Sequence, residues 1–369
     1  MNLDCAKQLA SANFSGTYME ARQKFLETAA ISKPYPCSMR GPSGDALYTD
    51  VAYFGRADAK SLLILISGTH GPEGYCGSAA QLLFLQAKFH KRLASSTAVL
   101  FVHALNCYGF AWDRRVTSEG CDLNRNFVDF SKPLPANPGY EELAEHLVPA
   151  DISSEGIQRA DAAIAEYASV HGEYKLREAW SSGQYTRPGG RGYGGVEPTE
   201  ARRTLERIAM DFDVAMRDQV VIIDYHTGLG PYGYGELQCE RPSGLSGYER
   251  ATRMFGASVT SPVVGTSSAI ALHGTQDEYW ERILGDRHTY VALEFGTFAP
   301  SDVRARDVGR KDAWLFKYRP EEANSELGRK IRQASKLYFY PQSPDWEEMV
   351  IWRSHLVHRQ AIEAVTSGD

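Results

Sequence analysis

The chain has 369 residues, 43% of them hydrophobic, and carries 40 lysines and arginines against 46 acidic residues, a formal charge of −6. That apolar fraction supports a sizeable core and excludes a disordered chain, while the acidic balance argues against nucleic acid or a membrane surface as partner. No apolar run is long enough to span a bilayer, and the start MNLDCAKQLASANFSG is not a basic-then-apolar secretory signal. The six cysteines follow no CxxC spacing, so a cytoplasmic protein with reduced thiols is expected.

In chain order, residues 1–46 read as a helix around YMEARQKFLETAA and then turns through Pro34, Pro36 and Gly41 to Gly44. Residues 47–54 alternate as a strand does. Residues 62–66 (LLILI) are a continuous apolar run that stops at SGTHGPEG, the pattern of a strand buried on both faces and ending in a small-residue loop. Residues 78–93 have helical spacing and a basic final turn, suited to the negative pole of a helix; residues 97–105 are a second apolar run. Strand, helix, strand is the grammar of a parallel or mixed sheet. Residues 106–130 mix Asn, Arg and Asp with aromatics and follow a strand, so they belong on the same rim as the His70 loop.

Residues 131–218 interrupt the succession, with a helix over 157–168, a Gly-rich piece at 183–195 and a helix from about 199 to 217. Within the Gly-rich piece GRGYGG matches GxGxxG literally. A dinucleotide site needs a preceding strand, and SSGQYTRP is not one; a mobile loop at the rim is expected instead. A third buried strand, VVIID at 220–224, ends in YHTG; a helix near 247–255 and a strand at 289–295 (TYVALEF) follow. The remainder is largely helical. Ser343-Pro344-Asp345 starts its last helix, with Trp346, Met349, Val350, Leu356 and Val357 along one face. No repeat or clean linker divides the chain, so one domain over 1–369 is expected, with a large insertion at about 131–218 near the site rim.

The strand ends carry the ionisable groups. His70 and Glu73 lie three residues apart in the small-residue loop and can reach one cation; His226 and Glu294 end two other strands. A lone histidine or glutamate at such a place is commonly structural, but four together at three strand ends are what a metal site needs. With His70, Glu73 and His226 as ligands of one Zn²⁺ ion, one position stays open for water, whose pKa the ion lowers to about 7. Glu294 is then the general base. Arg114 and Arg115 are available to an oxyanion and Asn124 and Arg125 to a carboxylate, with a solvated, salt-bridged rim as the other reading; Arg187 and Arg191 on the insertion read first as solvated loop residues and second as further anion contacts.

The order His-x-x-Glu, Asp-Leu-Asn-Arg-Asn-Phe, strand-end His and strand-end Glu resembles the M14 metallocarboxypeptidase superfamily. More narrowly, SGTHGPEGYCGSA, RRVTSEGCDLNRNF, DYHTGLGPYG and LEFGT resemble the DUF2817 family. The resemblance implies an α/β fold with a mixed, mostly parallel eight-stranded sheet flanked by helices. It makes His70, Glu73 and His226 the zinc ligands and Glu294 the base. It selects Arg115, with Arg114 in reserve, to polarise the scissile carbonyl, and Asn124 and Arg125 to hold a terminal carboxylate. The mobile tyrosine of digestive carboxypeptidases has no clear equivalent in ALHGTQDEYW; His273 lies nearest the expected place, and Tyr279 is the other candidate.

The expected activity is therefore cleavage of an amide bond beside a free carboxylate, in its plainest form by a carboxypeptidase acting on short peptides. An N-acyl-amino-acid deacylase of the aspartoacylase and succinylglutamate desuccinylase type is the alternative. That branch has a β-rich C-terminal domain, whereas the last seventy or so residues here read as helices. A metal-dependent binding protein without turnover is the reading from another class.

Overall fold

The computed structural model describes residues 3–240, 246–299 and 303–367. Its eight strands are β1 Lys33–Arg40, β2 Ala46–Phe54, β3 Ser61–Ile66, β4 Thr97–His103, β5 Gln219–Tyr232, β6 Gly235–Gln238, β7 Val259–Thr260 and β8 His288–Gly296. They form one sheet in the order β1-β2-β4-β3-β5-β8-β6-β7. The central β4, β3, β5 and β8 run parallel, and the pairings β1–β2, β2–β4 and β6–β8 flank them antiparallel.

Both faces of the central strands are covered, which is why they read as unbroken apolar runs. Leu63, Leu65, Val221 and Ile223 pack on one face beneath the helices Tyr18–Ala29, Gly74–Gln86 and Pro344–Ser367. Leu62, Ile64, Val220 and Ile222 pack on the other beneath Glu200–Asp211 and Gln276–Leu284. The α/β class and the mixed eight-stranded sheet are those expected. Among the described residues no helix is long and apolar enough to cross a membrane.

Several elements differ from their sequence signals. Residues 33–40 form a strand rather than turns, with Pro34 opposite Asp50 and Pro36 opposite Tyr48. Two prolines are tolerated because β1 is at the edge of the sheet, where one side needs no donors. The helix expected over 78–93 is Gly74–Gln86, without a basic last turn; Lys88 turns left-handed at φ 57° and sends the basic residues past the helix end. In Pro344–Ser367 the residues Trp346, Val350 and Val357 are fully buried, while Met349 and Leu356 are exposed. Between β4 and β5 two unforeseen helices, Pro138–Leu147 and Glu173–Ser181, join Ser154–His171. Their Tyr140, Leu143, Ile164 and Leu176 share a separate core with Trp314, Leu315 and Ile331.

Candidate metal centre

The parallel order brings the C-terminal ends of β3, β4, β5 and β8 to one edge of the sheet, where open α/β folds hold their sites. After Ile66 the chain makes a tight loop to Glu73. Gly71 is indispensable to it: a Cβ there would lie 2.1 Å from the carbonyl oxygen of Arg114 and from the carbonyl carbon of Gly109, both backbone atoms. The helix Gly74–Gln86 starts directly after Glu73, so the carboxylate stands at the helix end that favours negative charge. On β5, Asp224 and His226 are two residues apart and share a face. His226 is paired in register with Glu294 on β8.

His70, Glu73 and His226 each offer a ligand atom, and these atoms lie within 4.8 Å of one another. All three are buried, at 2%, 1% and 3% exposure, so their polar atoms must be satisfied from within the protein. Glu73 Oε1 lies 3.0 Å from His70 Nδ1 and its Oε2 2.9 Å from His226 Nδ1. The other ring nitrogen of each histidine meets a carboxylate: His70 Nε2 is 3.0 Å from Asp122 and His226 Nε2 is 2.8 Å from Asp224. Asp224, fully buried, also accepts from Thr69, the side-chain amide of Gln276 and the Tyr290 hydroxyl.

This donor set fits a zinc ion. Donation of Nε2–H to a carboxylate leaves the lone pair of each imidazole on Nδ1, the arrangement that orients histidine ligands. His70 Nδ1 is buried without a hydrogen-bond partner, although Glu73 lies alongside. Ligand atoms around a tetrahedral ion with bonds near 2.1 Å stand roughly 3.4 Å apart, a spacing reached here by small movements. Burial opposes ionisation of Glu73, but His70 and Arg115 outweigh it and hold its carboxyl well below the usual range. Burial likewise opposes ionisation of Asp122, and Arg115, Arg125 and His70 overcome it, keeping that carboxyl low as well.

Glu294 has the opposite balance. Burial, reinforced by the charge of Glu73, pushes its carboxyl up to about 8, and it accepts the Leu229 backbone N–H at 3.0 Å. A dication among the three ligands would pull it back down. Arg115 reaches Glu73 through Nη1 at 2.6 Å and Asp122 through Nε at 3.3 Å, with its side chain 35% exposed. Arg114 faces away, ion-paired with Asp312 at 3.1 Å and stacked 3.3 Å over Phe316. Arg114→Ala is therefore expected to cost about 3 kcal/mol of stability by breaking a buried pair, read as a lower urea midpoint. Arg115→Ala should lower it as well, because the buried Glu73 and Asp122 lose their shared counter-ion; an unchanged midpoint in Arg114→Ala would remove the buried-pair role from Arg114.

Arg125 is held by backbone: Nε and Nη2 donate to the Ser181 carbonyl and Nη1 to that of Asn124. Asn124 Oδ1 accepts the Gln276 N–H at 2.8 Å, which aims its amide nitrogen elsewhere. His273 does not join the group: its side chain is exposed and Nδ1 lies 3.8 Å from Glu278. Tyr279 is buried against Phe127 and Trp280. The Gly-rich piece is closed and pinned, not the mobile loop expected. Gln184 and Gly192 or Gly194 bond across it, the Tyr193 carbonyl accepts the Asp122 N–H, and Tyr185 donates to the Arg125 carbonyl. Asp122, Asp224, Thr69, Gln276 and Tyr290 escaped the sequence reading. Asp122 and Asp224 had a usable signal, each standing inside a motif that also carries a site residue, whereas nothing local marks Gln276.

The class that fold and site define is an α/β protein whose mixed eight-stranded sheet carries a His/Glu/His group and a glutamate at the C-terminal edge of its parallel strands. The chain belongs to the family described as "Protein of unknown function (DUF2817)", which matches residues 14–353. No curated protein sequence matches it. Similar solved structures include an aspartoacylase family protein from Mesorhizobium loti, at 14% identity and TM-score 0.37 over 78% of this chain and 66% of that one. Murein-tripeptide amidase MpaA from Escherichia coli O157 is similar at 15% and 0.32, over 82% and 91%. Carboxypeptidase A from Helicoverpa armigera is similar at 13% and 0.40, over 92% and 81%.

Proposed function

We propose that the protein is a zinc-dependent hydrolase that cleaves an amide bond beside a free carboxylate, in its simplest form a carboxypeptidase acting on short peptides. The observation that carries this reading is the buried His70, Glu73, His226 group, with each imidazole backed by a carboxylate and Glu294 opposite His226. His70, Glu73 and His226 would hold the ion. Zinc bound there would supply a Lewis acid and a water of near-neutral pKa.

The remaining roles belong to side chains. Glu294 takes a proton from the attacking water and returns it to the departing nitrogen. Arg115 donates to the oxygen of the attacked carbonyl as negative charge grows there. Arg125, its plane set by the Ser181 and Asn124 carbonyls, donates its remaining N–H groups to the substrate carboxylate together with the Asn124 amide.

Short peptides assayed beside N-acyl amino acids separate peptidase from deacylase; hydrolysis of the second set alone would replace the first reading by the second. Arg125→Ala should weaken turnover of substrates with a free carboxylate by about a hundredfold, the loss of roughly 3 kcal/mol from a charge-assisted pair. The corresponding amides should change little. Equal losses on both would remove the carboxylate role from Arg125.

A further inference from the structure

Arg191, carried by the pinned Gly-rich loop, is a partly buried cation to which the described residues offer no carboxylate. Its guanidinium stacks 4.3 Å over Trp180, and Nη1 donates to the Arg306 carbonyl at 3.3 Å. Gly309, inside the helix Val303–Tyr318, makes room for it: a Cβ at that position would lie 2.0 Å from Nη1. Arg187 in the same loop is different, being exposed and ion-paired with Glu141.

A further unused donor stands near Arg191. Arg310 is fully buried and paired with Asp161 through Nη2 at 2.6 Å and with Asp307 through Nη1 at 3.6 Å, and its Nε has no hydrogen-bond partner. The buried Tyr140 hydroxyl lies against Gly190, where a Cβ would be 2.2 Å away. Burial first, and then the charge of Arg115, push the Arg191 guanidinium down to about 10. A partly buried cation with no carboxylate beside it among the described residues is costly unless an anion arrives to pair with it.

We infer that Arg191, seated on Gly309 and Trp180 in the loop that bonds Asp122 and Arg125, binds a second anionic group of the substrate, so that the substrate class is one with two carboxylates. The carboxylate held by Arg125 is the first; the second is an acidic side chain or an acidic acyl group. This deepens the hydrolase reading and rests on it only for turnover, because binding can be measured without catalysis.

The test is calorimetric binding of N-acetylphenylalanine, N-acetylglutamate and N-succinylphenylalanine to the zinc-loaded full chain, with hydrolysis of the same compounds followed separately. At least one of the two dicarboxylates should bind tenfold or more tightly than the monocarboxylate. Arg191→Gln should bring that ratio to within twofold while leaving N-acetylphenylalanine unchanged, and Arg191→Lys should keep part of it. Gly309→Ala, which displaces only the mobile end of Arg191, should act like Arg191→Gln and guards against a folding defect in the loop. No preference in the unaltered protein, or a preference that survives both Arg191→Gln and Gly309→Ala, overturns the inference. Preference without hydrolysis of any compound would leave the anion subsite standing and reject the hydrolase.

Discussion

Glu294→Gln is expected to lower the rate of amide hydrolysis by about a thousandfold or more, within the range for removal of a general base, while zinc content stays at one ion per chain. The substitution is nearly isosteric, and the amide oxygen can still accept the Leu229 N–H that the carboxylate accepts at 3.0 Å. It also removes an acid whose ionisation burial and the charge of Glu73 oppose, so stability should not fall. What disappears is the capacity to take a proton. Stopped assays with short peptides, paired with metal analysis of the same sample, read both halves. A variant retaining a tenth or more of the rate would move the base elsewhere; one that lost both rate and metal would make Glu294 part of the ion's cage.

Removal of a ligand should have the second large effect. His226→Ala is expected to weaken zinc binding by more than the roughly 10–100-fold typical of losing a group that merely orients a ligand. Asp224→Asn should fall within that smaller range. The two are separable because His226 presents Nδ1 toward Glu73 and Nε2 toward Asp224. Competition with a chromophoric chelator measures both. Equal losses would mean that Asp224 does more than orient the ring, and a His226→Ala chain binding zinc like the unaltered protein would place the ion elsewhere. Because three carboxylates crowd this group, stripping the metal from the full chain should also lower its thermal midpoint, as expected when a ligand binds only the folded state.

Where the sequence was least informative, the reason is physical. Proline is a turn signal by its own chemistry, and only the pairing of Pro34 with Asp50 and of Pro36 with Tyr48 shows that an edge can carry it. The helix after Glu73 begins in glycine and tyrosine, which hide its first turn. The Gly-rich loop lacks any local reason to be rigid; its order comes from bonds to Asp122 and Arg125, some sixty residues earlier in the chain.

By itself the sequence determined the buried central strands, the loop after β3 that carries His70 and Glu73, the placing of His226 and Glu294 on two further strands (although β5 does not end before His226 but runs on to Tyr232), and the polar segment that holds Arg115, Asn124 and Arg125. Apolar runs and the polar residues that interrupt them are local patterns, and a chain displays those openly. Only the tertiary structure decided that Arg115 turns to Glu73 while Arg114 turns to Asp312, that Asp122 and Asp224 back the two imidazoles, and that Arg191 has no acid beside it among the described residues. Those are relations between residues far apart in sequence, set by strand order and by which loop packs on which, and no local spacing records them.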